Sequence, residues 1–146
     1  MDFIINNFYY GKINSETLYK IISIVTFLVL TIDFIWIKLF MFEQYNSLIY
    51  NVQNKSLSVR FIPTILSYIT IILPIVLFVI PKLTPQRRVL DSLVYGGIMG
   101  VLMYGMFSFT NYALIQDWSF SVVLLDTIWG GVLYSLVSLL TSYLLF

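Results

Sequence analysis

Long apolar runs broken by short polar stretches dominate the chain. The runs cover about 18–42, 61–80, 90–115 and 120–146, each near the ~20 residues that a hydrocarbon layer of ~30 Å requires. A closed β-barrel would need more and shorter alternating segments, so helices are expected. The pattern predicts an all-α membrane fold, a four-transmembrane-helix bundle spanning 18–146. Residues 1–17 alternate polar and aromatic positions and are expected to form an arm lying at the membrane interface. That arm lacks the ordered basic start, apolar core and small-residue cleavage site of a signal peptide. Pro63 falls near the start of the second span, and Pro74 falls inside it, where it should kink the helix.

The connections add detail. Gln116 to Ser119 is so short that the third and fourth helices must be antiparallel neighbours. Pro81 to Arg88 is also short. Glu43 to Arg60 is longer, and within it Tyr45, Leu48, Ile49 and Val52 fall at helical spacing. Two readings stand for this stretch: an amphipathic helix on the interface, or a plain polar loop. Lys12, Lys20, Lys82, Arg87 and Arg88 lie on the side of the N-terminus and the second connection, against Lys55 and Arg60, with Lys38 near the membrane end, on the other. Since Lys and Arg collect on the cytoplasmic side, both termini are expected there. The longer loop, with its Asn54-Lys55-Ser56 triplet, is then external or lumenal.

Composition narrows the class. Hydrophobic residues make up 60% and charged residues 10% of the 146 positions, too few charges to cover a soluble globule. Without cysteine or histidine there is no thiolate metal site, no disulfide and no near-neutral imidazole shuttle. A net charge of +1 offers no basic footprint for nucleic acid. The lean toward Ile, Phe, Tyr, Asn and Lys suits an AT-rich genome. No phosphate loop, nucleophile elbow or metal-ligand spacing is present, so neither an enzyme nor a cofactor is expected.

Two acidic residues inside the spans stand out, because a carboxylate at the bilayer centre costs roughly 2.5–3.5 kcal/mol. Asp33 and Asp126 open a repeated pattern, Asp33-Phe34-Ile35-Trp36 and Asp126-Thr127-Ile128-Trp129. Counted from the outer ends of their spans at ~1.5 Å per residue, both lie roughly 9–14 Å deep, on helices of opposite direction. Tyr104, Ser108 and Asn111 share one face of the third span, with Thr110 beside Asn111. Gly130 lies one turn below Asp126, and Gly96, Gly97 and Gly100 permit close helix approach. The candidate binding residues are therefore Asp33, Trp36, Tyr104, Ser108, Thr110, Asn111, Asp126, Trp129 and Gly130, in a polar pocket open toward the outer side. Two such carboxylates would share protons. The competing reading is that these groups only lock the helices together. Trp118 reads as an interfacial anchor, Lys38 as a side chain snorkelling to the interface, and the Lys82–Arg87–Arg88 cluster as a topology signal with anionic lipid as a secondary reading.

The run Tyr104-Gly105-Met106-Phe107-Ser108-Phe109-Thr110-Asn111, with Ala113, Trp118 and Asp126-Thr127-Ile128-Trp129-Gly130, resembles the signature of a family of predicted four-helix integral membrane proteins. That family is the domain of unknown function 2177 type, found in bacteria and large DNA viruses. Its Asp-x-x-Trp in the first helix is similar to Asp33 and Trp36, and its aromatic second helix ending in proline is similar to Tyr68 and Pro81. The resemblance covers about Phe27 to Phe146 and implies a four-helix fold with a shared polar layer, without a reaction. An acidic residue often stands two positions before the Thr-Asn pair in the family; Ser108 is there instead. If that third carboxylate matters to the family's activity, this chain is altered in it.

The expectation is a multi-pass protein of a plasma, internal or viral membrane. One reading makes it a small carrier or ligand-binding protein with a protonatable pocket, taking a small ligand, a proton or a cation. The other makes it a structural or assembly protein, of a virion or internal membrane, whose polar layer fixes packing. A homo-oligomer is compatible with either.

Overall fold

The computed structural model describes residues 1–145; Phe146, the expected last residue of the fourth span, lies outside the described residues. Among the described residues every regular element is helical. A short helix, α1 (Asp2–Phe8), precedes four long ones: α2 (Ser15–Gln53), α3 (Phe61–Lys82), α4 (Arg88–Leu114) and α5 (Phe120–Leu145). All four are long and apolar enough to cross a bilayer. The bundle has a proximal end, holding α1, the turn at 83–87 and the end of α5. Its distal end holds the connections at 54–60 and 115–119.

Asn14 starts α2, its side-chain oxygen accepting the Thr17 amide at 2.8 Å. A straight helix of 39 residues would reach about 58 Å, nearly twice the ~30 Å hydrocarbon layer. α2 instead turns aside at a π-helical turn, Ile37–Met41, where Met41 has φ −107° and ψ −17°. Its last part, Phe42–Gln53, crosses the distal end. There Met41 and Leu48 bury themselves with Val122 of α5 and pack on Trp36, Tyr45, Trp118 and Leu125.

The prolines of α3 decide how it is held. Pro74 lacks an amide, and the next amide, that of Ile75, turns back to the Ile72 carbonyl. The Ile71 carbonyl, one residue back, accepts the Tyr134 hydroxyl at 2.8 Å. In the π-helical turn that follows, Ile75–Val79, the Ile80 amide bonds to Ile75. The Val76 carbonyl would need the amide of residue 81, which is a proline. The Tyr9 hydroxyl donates to it instead, at 2.6 Å. Burial pushes the Tyr9 phenol above its ordinary value, so it remains a donor at neutral pH.

This bond draws the N-terminal arm into the bundle. Ile5 and Tyr9 are buried with Leu18, Ile21, Val25 and Val29 of α2, Val76 and Val79 of α3, and Leu133 and Val137 of α5. The arm expected along the membrane surface thus packs on the proximal core as well. α4 and α5 approach most closely. A Cβ on Gly100 would strike the Gly130 carbonyl, and one on Gly130 would lie 2.6 Å from Tyr104 Cβ. Without side chains at these two points the backbones meet directly, as small residues allow between membrane helices.

Candidate functional site

Asp33 and Asp126 are both buried, each only 4% exposed. Asp33, on α2, accepts the Trp129 indole N–H at 2.8 Å, the Tyr68 hydroxyl at 3.1 Å and the Tyr104 hydroxyl at 3.4 Å. Its donors come from α5, α3 and α4, so one carboxylate draws together all the other spans. Asp126, on α5, accepts the Ser108 hydroxyl at 3.0 Å and a short hydrogen bond from the Tyr45 hydroxyl. Asp126 stands three residues before Trp129, whose indole reaches Asp33, so the two carboxylates belong to one layer.

The bend in α2 makes the second half of this arrangement. Along a straight helix Tyr45 would stand about 18 Å beyond Asp33, whereas Asp126 is only about 5 Å along α5 from Trp129. Turning the chain at Met41 folds Tyr45 back over the distal end, where its phenol reaches Asp126. No polarity pattern announces that turn, so Tyr45 was missed as a site residue. Tyr68 stood out in the sequence only as part of the aromatic second span.

The repeated Asp-x-x-Trp patterns meet but do not act alike. Trp36 and Trp129 stack with ring centroids 4.3 Å apart and planes 6° from parallel. Trp129 donates to Asp33, while the Trp36 indole N–H is buried with no hydrogen-bond partner. Trp36 also stacks on Phe40 at 5.1 Å. Gly130 sits where α4 crosses α5, beside Tyr104. Of the remaining candidates, Asn111 is half-buried with its amide nitrogen unpartnered, and Thr110 is exposed on the outside of α4. Lys38 is exposed, with its ammonium 5.7 Å from the centroid of the Phe34 ring rather than on a carboxylate. Trp118 packs edge-on to Phe107.

A second buried carboxylate site escaped the sequence reading. Asp91, near the start of α4, accepts the Thr84 amide at 3.0 Å and the Thr84 hydroxyl at 2.6 Å. Arg87 lies 3.7 Å away. Asp91 therefore closes the proximal turn, a local role that a Thr and an Asp flanking a short Pro-containing turn could have suggested.

Fold and site together define a four-span helical membrane protein with a buried carboxylate layer fed by all its spans. The chain belongs to the family described as "Predicted membrane protein (DUF2177)", which matches residues 18–143. Neither the curated proteins nor the solved structures gave a match.

Proposed function

We propose that the protein is a small membrane carrier or ligand-binding protein whose protonatable site is the layer around Asp33 and Asp126. One observation carries this reading: among the described residues neither carboxylate has a cationic partner. The two ion pairs, Lys20 with Glu16 and Arg87 with Asp91, lie elsewhere. Every donor to the layer is a neutral hydroxyl or indole. Two ionised carboxylates in apolar surroundings without a counter-charge are too costly to persist, so a proton or a bound cation neutralises at least one. The buried Trp36 indole and Asn111 amide add donors that the protein itself leaves unpaired. An acceptor atom of a ligand would satisfy either one.

The full chain in proteoliposomes with an entrapped pH dye tests this. An imposed proton gradient is expected to decay faster than in empty vesicles, and Asp33→Asn with Asp126→Asn should slow it at least tenfold without loss of helical content. A second reading, a structural protein whose polar layer fixes packing, draws on the protein donors that all four spans already direct at the two carboxylates. It gains if the wild-type chain neither conducts protons nor shows a thermal shift with any small polar ligand.

A further inference from the structure

Beyond the carboxylate layer, α5 carries buried polar groups down to the proximal end. Asp126, Gly130, Tyr134, Ser138 and Ser142 recur every fourth residue, and Thr141 lies beside the last two. Ser138, Thr141 and Ser142 are 0% exposed, and Ser92 of α4 is 1% exposed. None of these four hydroxyls has a hydrogen-bond partner. That is unusual for hydroxyls in helices, which ordinarily bond back to a carbonyl of the preceding turn. Thr127, on the same helix, does so with Val123 at 2.7 Å.

Ser138 meets the turn that Ser92 opens. The Ser138 hydroxyl lies 3.0 Å from where a Cβ on Gly96 would stand. α4 and α5 are antiparallel, so stepping one turn from that contact brings Ser92 and Ser142 to a common level. Ser92 opens a π-helical turn, Ser92–Gly97, an irregularity frequent at functional positions in helices. One turn further out, an open cleft of about 440 Å³ is lined by Arg87, Arg88 and Tyr143. Arg88 lies over the Tyr143 ring at 4.9 Å.

We infer that Ser92, Ser138, Thr141 and Ser142 form a water-binding pocket, open to the proximal side through the Arg88–Tyr143 cleft, that gives protons access to the carboxylate layer. The access role rests on the proposed protonatable site; the hydration does not. Hydroxyls both donate and accept, so a few waters among them would satisfy all four and form a relay. An apolar filling would leave each unpaired, at about 1–3 kcal/mol apiece. Tyr134 and Tyr104, edge to face at 6.4 Å, stand between this pocket and Asp33, and the Tyr104 hydroxyl, which donates to Asp33, is the group through which a proton would pass.

Water-edited solid-state NMR of the full chain in liposomes tests the hydration. Ser138 and Ser142 should receive magnetisation from water about as fast as exposed Tyr143, and Leu133 and Val137 several-fold more slowly. Serine signals as dry as Leu133 would overturn the pocket, whatever the proton flux. Hydration unchanged in Asp33→Asn/Asp126→Asn separates the pocket from the carboxylate site. Ser138→Ala with Ser142→Ala is expected to lower proton flux about tenfold while Trp129 keeps its bond to Asp33. A flux equal to wild type, or no wild-type flux at all, would overturn the access role; the latter would overturn the carrier reading too.

Discussion

Trp129 tests how much a single donor contributes to the carboxylate layer. Its indole N–H is the shortest of the three bonds to Asp33, and its ring face stacks on Trp36. Trp129→Phe keeps an aromatic ring for the stack and removes the donor. It is expected to cost about 1–3 kcal/mol, the range for leaving a buried polar group short of a partner. Unfolding in mild detergent by titrated denaturant would read it. A loss below about 0.5 kcal/mol would mean that Asp33 does not depend on this bond. Tyr45→Phe gives the matching measurement at Asp126, where Ser108 alone would remain. Its effect should not add to that of Ser108→Ala, since both serve one carboxylate.

The pairing of tyrosines with prolines belongs to the scale of elements. Pro81 cannot supply the amide that the Val76 carbonyl lacks, and Tyr9 does so from the arm. Tyr9→Phe should therefore loosen α1 and destabilise the chain by about 1–3 kcal/mol. In a Pro81→Ala background the restored amide can meet Val76, and the same change should cost clearly less. Equal costs in the two backgrounds, measured by thermal unfolding, would show that Tyr9 acts through packing alone. Between α4 and α5, Gly130→Ala pushes a methyl against Tyr104 and the Gly100 carbonyl. Overpacking of that kind costs about 1–3 kcal/mol, and Tyr104 would be displaced from Asp33. Element positions of this sort were only partly legible in the sequence. Apolar run length reveals the spans, and charged residues within them reveal Asp33 and Asp126. The π-helical turn that folds Tyr45 back has no periodic signature, because Ile37 to Met41 reads like any other apolar stretch. Nor could composition show that Tyr9 would reach a carbonyl on α3. That depends on Pro81 being placed where the Val76 carbonyl would otherwise find an amide.

At the scale of the whole molecule, the structure fixes how the two ends of the bundle relate to each other. The alternating direction of successive spans sets the chain start and the 83–87 turn at one end and the 54–60 connection at the other. Charge then proposes which end is cytoplasmic. The proximal end carries Lys12, Lys20, Lys82, Arg87 and Arg88, and the distal connections hold Lys55 and Arg60. The absence of native cysteine makes this directly measurable, since any introduced thiol reports alone. Gln86 and Asn54 are both exposed, at opposite ends. With a membrane-impermeant maleimide on intact cells, Asn54→Cys is expected to label, and Gln86→Cys to label only after permeabilisation. The reverse pattern would invert the protein. The proposed hydroxyl pocket behind Arg88 would then open away from the cytoplasm, and protons reaching Asp33 through it would come from the non-cytoplasmic side. Orientation therefore fixes the direction in which a proton gradient would act on the carboxylate layer.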